Sequence, residues 1–243
     1  MTQHTLKGRS EKEVTWYQRR DVVKAAAAWL AMGGLPAAIA QQRSNVVQQT
    51  GDALVNGARL RPEQVVQTGD LIQTGPGANM IFAMGNASFL VRENTKLSVE
   101  RGATLNAVSV LRIVTGAVAS VWRKGDNRSI ITPTLTAGIR GTGVYTEVFA
   151  EQDSRTYFCN CYGTVELNSG GVQKVSEAQY HQSFWSQTQG APLSPAGAIN
   201  HTDEELEFLA QLMDQRTAWQ IMGRKGTKDG KGKMNAAPYN TPG

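Results

Sequence analysis

Residues 130–167 read IITPTLTAGIRGTGVYTEVFAEQDSRTYFCNCYGTVEL, and this stretch decides the fold. Two extended apolar segments close on a Gly-rich corner, Gly138 to Val144, that holds a single cation, Arg140. Glycines at 138, 141 and 143 give the backbone freedom to turn there. Pro133 lacks an N–H, so it suits a strand start or a sheet edge. The strand that follows carries the only two cysteines of the chain, Cys159 and Cys161.

The same alternation of apolar and polar residues extends outward on the N-terminal side. NMIFAM (79–84), SFLVR (88–92) and KLSVE (96–100) are separated by Gly85-Asn86 and Glu93-Asn94 and closed by Arg101-Gly102. Period-2 patterning with turn dipeptides every 8–10 residues, as here, marks short strands. Residues 108–114 and 117–122 read as two more, joined at Thr115-Gly116, and 128–132, 135–139, 144–149, 155–162 and 164–167 continue the series. No helical period appears between Asn56 and Tyr180. The expected fold is all-β, a sandwich or solenoid-like domain of many short strands.

The matching pieces also resemble the FecR-like domain, in family order. They are VNGARL, VQTGDLIQTGPGANMIFAMGNASFLVRENTKLSV, LRIVTGAVASVW, ITPTLTAGIRGTGVYTEV and TYFCNCYGTVEL, with GIRGTGV the most distinctive. The span is about 51–170. The resemblance implies a periplasmic, β-rich sensing domain, as in anti-sigma regulators of iron uptake. Only 18 residues precede Arg19, too few for the helical sigma-binding domain that those regulators carry, so a counterpart of it is not expected here. Domain and location are expected to transfer; transmembrane signalling is not.

The N-terminus supports export independently. Arg19-Arg20 precedes DVVK and then AAAAWLAMGGLPAAIA, a weakly apolar run ending in an A-x-A site. A basic pair, a short apolar run and small residues before a cleavage point describe an export signal. RRDVVK resembles the twin-arginine class. Cleavage is expected after Ala40, giving a periplasmic protein whose mature part has no transmembrane helix. The domain plan is 1–40 signal, 41–190 β domain, 191–201 linker, 202–223 helix and 224–243 disordered basic tail.

Charge follows that plan. Lys/Arg outnumber Asp/Glu six to three in residues 1–40 and five to one in 223–243, leaving fourteen against sixteen in the body. A nucleic-acid-binding domain would carry its positive charge on the body, so nucleic acid is not expected as a partner.

Three features carry candidate chemistry. Arg140 has five donors, suited to pinning a turn or pairing with a carboxylate, and alternatively to a partner or anionic ligand. Cys159 and Cys161 stand two apart on a strand and so face the same side. Their Cα atoms would lie about 6.5–7 Å apart, at the far edge of disulfide geometry. They can be small buried apolar residues, a strained disulfide, a redox pair, or half of a site for a soft metal, though no cofactor is the plainer expectation. His181 and His201, the two histidines after the signal, would complete such a site; the spacing matches no standard zinc pattern. The third feature is the segment from Thr202, whose Thr202/Glu205 pair suits a capping box and whose broad apolar face suits packing on the β domain or joining a second copy.

No GxSxG or HExxH motif occurs. The chain therefore reads as a non-catalytic periplasmic module that binds or senses a protein or cell-envelope ligand. The alternative is a metal or thiol protein using the Cys-x-Cys strand.

Overall fold

The computed structural model describes residues 44–104, 107–125 and 128–235. The expected export segment, with Arg19, Arg20 and Ala40, lies outside the described residues. Within them the chain forms β1 (Val46–Thr50), β2 (Ala53–Val55), β3 (Ala58–Arg59), β4 (Leu71–Thr74), β5 (Asn79–Met84), β6 (Ala87–Val91), β7 (Lys96–Arg101) and β8 (Val108–Trp122). Then come β9 (Ser129–Ile131), β10 (Thr136–Ile139), β11 (Gly143–Phe149), β12 (Arg155–Ser169), β13 (Val172–Ala178), β14 (Tyr180–Ser186) and β15 (Leu193–Ala196). Two helices, α1 (Asp203–Leu212) and α2 (Ala218–Met222), and a final short strand β16 (Lys231–Gly232) follow. The fold is all-β with one helix longer than two turns, as the sequence implied.

The strands form two sheets. The first runs β1-β5-β6-β8-β11-β12-β14, with β15 and β16 sharing the free side of β14. The second runs β3-β2-β4-β7-β8-β9-β10-β12-β13. All pairs are antiparallel except β8 with β9. The strands β8 and β12, fifteen residues each, take part in both sheets.

The switch between sheets falls at glycines. Gly116 (φ 79°) and Gly163 (φ 95°) lie in the left-handed region. A Cβ on Gly116 would come within 2.5 Å of the Thr95 Cα, and one on Gly163 within 2.8 Å of the Gly141 carbonyl oxygen. The sequence reads Thr115-Gly116 and Gly163 as turns between separate strands. In the structure each is a bend inside one strand, which the close backbone approach requires.

Side-chain alternation then makes two cores. Phe82, Phe89, Trp122, Val144, Phe158 and Leu111 fill the space between the sheets. The opposite face of the first sheet carries Ile81, Leu90, Val121, Tyr145, Tyr157 and the two cysteines, and α1 and α2 cover it with Leu206, Phe208, Leu209, Met213 and Trp219. Burying five such side chains contributes on the order of 10 kcal/mol before ordering entropy is subtracted. The order is thus sheet, sheet, helical layer.

α1 starts with the expected capping box, Thr202 accepting from the Glu205 N–H and Glu205 from the Thr202 N–H. One helix over 202–223 is not what forms. Asp214 turns left-handed (φ 53°), and a second capping box at Thr217/Gln220 starts α2.

Two segments expected to lack structure have it. The 191–201 linker contains β15, where Pro195 is tolerated because the strand lies at a sheet edge. Residues 224–235 of the basic tail are structured: β16 pairs with β14, and Lys225 and Lys228 bind Asp203. Ion pairs and backbone pairing hold it where apolar residues are lacking. Among the described residues no helix is long and apolar enough to cross a membrane.

Candidate metal centre

The face of the first sheet that meets the helical layer gathers Cys159, Cys161, His181 and His201, all buried, with ligand atoms within 4.8 Å of one another. Each arrives differently. On β12 the alternation turns Phe158 into the inter-sheet core and Cys159 and Cys161 to the other face. Asn160, between them, is anchored on its own side by Thr142, the Gly163 carbonyl and Ser176.

His181 comes from β14, the neighbour of β12. The pairing runs from Thr156↔Ser186 to Asn160↔Gln182, and His181 lies one step beyond. It is also the irregular residue between Tyr180 and Gln182, both paired to β16, and its φ is 38°. A histidine in the left-handed region is a strained conformation of the kind found at functional sites, and here it goes with an imidazole aimed across β12. His201 immediately precedes the N-cap of α1 and stacks on Tyr145, 4.7 Å between ring centres.

The hydrogen bonds fix both tautomers. His181 Nε2 lies 3.0 Å from Asp203 Oδ1, and His201 Nδ1 lies 2.6 Å from the Ile199 carbonyl oxygen. A carboxylate and a carbonyl only accept, so both ring nitrogens donate. That leaves His181 Nδ1 and His201 Nε2 as the inward nitrogens, 3.0 Å apart. Two lone pairs at that distance repel unless a proton or a metal cation sits with them. A histidine whose outer nitrogen is held by a carboxylate or carbonyl is the usual orientation of a metal ligand.

Three of the six edges between the four ligand atoms are close to those of a tetrahedron around a soft cation, and the widest separation in the set is 4.8 Å. Bonds of about 2.3 Å to sulfur and about 2.05 Å to nitrogen give edges of about 3.8 Å (S–S), 3.6 Å (S–N) and 3.3 Å (N–N). The corresponding distances are 3.6 Å for the two Sγ atoms, 3.5 Å for Cys159 Sγ to His181 Nδ1 and 3.0 Å for the two nitrogens. The thiols are free, at a separation far from a disulfide.

Electrostatics prepares the same atoms. Burial alone would push the Cys159 thiol up, but the hydrogen bond from Cys161 and the two imidazoles outweigh it and hold it well below the usual thiol range. Burial, together with the neighbouring Cys159 sulfur, pushes Cys161 up. Burial works against a charged His181, yet Cys159 and Asp203 raise it. Burial likewise opposes the Asp203 charge; His181, Lys228 and Lys225 hold that carboxyl well below its ordinary value.

The remaining sites fall elsewhere. Arg140 pairs with Glu166 at 2.5 Å on the exposed side of the GIRGTG corner, both side chains more than half exposed. It has no part in the centre. Four residues that the sequence reading did not assign adjoin it. Asp203 orients His181 and also accepts from Tyr180 Oη and both lysines; Lys225 Nζ lies at 2.7 Å and Lys228 Nζ at 2.8 Å. The His-Thr-Asp order at 201–203 is the one signal that could have suggested this, since it sets a ligand and an orienting acid on one helix start.

No family model matches the chain, and no curated protein does. Two solved structures are similar to part of the chain. Both are crystal structures of a candidate anti-sigma factor from Parabacteroides distasonis ATCC 8503, each with a TM-score of 0.44, at 7% and 9% identity. They cover 53% and 55% of this chain, which in turn spans about three fifths of theirs, 60% and 61%. Likeness at this level carries no inference about function, so the FecR-like resemblance rests on the quoted motifs.

Proposed function

We propose that this chain is an exported, non-catalytic β-sandwich module built around one soft divalent metal of the zinc class, held by Cys159, Cys161, His181 and His201. The observation that carries this reading is the convergence of two sulfurs and two tautomer-fixed nitrogens, all buried and within 4.8 Å of one another. Two thiolates neutralise a divalent cation, and sulfur with imidazole selects zinc-like metals over magnesium or calcium. All four positions are protein ligands, which is the arrangement of a closed structural or sensing site with no place for a substrate.

The twin-arginine-like segment supports export, and that route carries folded proteins, so the metal can be acquired before the chain leaves the cytoplasm. The FecR-like motifs support a binding or sensing role toward a protein or envelope partner in the periplasm. The test is metal stoichiometry of the full chain purified under reducing conditions. The reading expects one zinc per chain, lost in Cys159→Ser and in Cys161→Ser. A chain that neither carries nor takes up zinc overturns it.

A further inference from the structure

The centre is sealed: Cys159, Cys161 and His181 are 0% exposed and His201 3%. A metal can enter or leave only if some element moves. The elements around it are unequally anchored. β12 and β14 are internal to a wide sheet, and α1 is held by Leu206, Phe208 and Leu209 and by the buried Arg92–Glu205 pair. Residues 224–235 are different. Among the described residues no fully buried apolar side chain follows Trp219; Met234 is only partly buried.

That strap borders the site beside His181. Its strand β16 pairs with Tyr180 and Gln182, the two residues flanking His181. The Gln179 and Ser183 N–H groups donate to the Gly232 and Gly230 carbonyls at 2.9 and 3.0 Å. Lys225 and Lys228 grip Asp203, the same carboxylate that orients His181. Segments held by polar contacts with little apolar burial are the ones that open first.

We infer that residues 224–235 form the gate of the metal centre, latched by Lys225 and Lys228 on Asp203, and that metal exchange is limited by opening of this strap. The inference rests on the metal reading above and adds the route and its control. It also gives the basic composition of the tail a purpose: two of its lysines bridge the strap to the acid behind a ligand histidine.

The test compares the full chain with the Lys225→Gln/Lys228→Gln double variant, both loaded with one zinc. A chelating dye removes the metal, and the release rate is followed. Loss of charge-assisted hydrogen bonds to a carboxylate shifts an opening equilibrium by about tenfold or more, so release should be at least about tenfold faster in the variant. Removing two nearby positive charges would by itself strengthen cation binding and slow release, so the sign separates a gate from simple electrostatics. Amide exchange provides the second measurement: Gln179 and Ser183 should exchange faster in the variant while Leu111 and Ile113 do not change. Release within twofold of the unmodified chain, or slower, overturns the gate. So does faster release with Gln179 and Ser183 still protected. Absence of zinc from the unmodified chain overturns the metal reading itself and is seen before any rate is measured.

Discussion

Asp203→Asn isolates the carboxylate that holds His181 without removing a ligand. The native side chain is nearly buried, 5% exposed, and has His181 Nε2 and Tyr180 Oη at 3.0 Å and the two lysine nitrogens at 2.7 and 2.8 Å. All four partners are donors. An asparagine keeps one acceptor oxygen and sets an NH2 against donors at the other position, so His181 loses either its fixed tautomer or a good hydrogen bond. Losing an outer-shell partner of this kind lowers metal affinity about 10–100-fold, or about 1.4–2.7 kcal/mol. The assay is competition for zinc against a chelator of known affinity, at constant pH, with the folded state of the metal-free variant checked by circular dichroism. An affinity within twofold of the native chain, in a folded variant, would refute the assigned role of Asp203.

Three further outcomes follow from the packing. Glu205→Gln preserves the cap on Thr202 but leaves Arg92 buried without its partner, so stability should fall by about 3 kcal/mol. With a urea m-value of about 2 kcal/mol/M, the unfolding midpoint drops by about 1.5 M, and the Arg92→Met/Glu205→Gln pair, which removes the stranded charge and keeps the cap, should recover most of it. Asn160→Ala strands the buried groups of Thr142, Gly163 and Ser176 and should cost about 1–3 kcal/mol in urea unfolding, with one zinc still bound because the cysteines face the other way. Arg140→Ala should change stability by less than about 1 kcal/mol and leave metal content unaltered, since its pair with Glu166 is on the surface.

The strands were legible because alternation and turn dipeptides are local. So was the shared face of Cys159 and Cys161, which follows from spacing alone. What the sequence could not show is that Cys159 lies beside Ser183, which places His181 one step past the end of that ladder. Nor could it show that His181 takes a left-handed φ on β14. Both depend on strand pairing between residues twenty or more apart. The tail misled for a physical reason: Gly- and Lys-rich composition signals disorder when no apolar burial is available, and here a buried carboxylate supplies the anchor instead. Gly116 and Gly163 show the same limit, since a glycine marks positive φ equally well in a turn and in a bend that carries one strand between two sheets.

The most direct test of the central claim is X-ray absorption at the metal edge of the zinc-loaded full chain. Two sulfurs at about 2.3 Å and two nitrogens at about 2.0–2.1 Å are expected, the shell of a closed Cys2His2 site. A shell of oxygen and nitrogen alone, or one with a single sulfur, would contradict the assignment of Cys159, Cys161, His181 and His201 as the ligands.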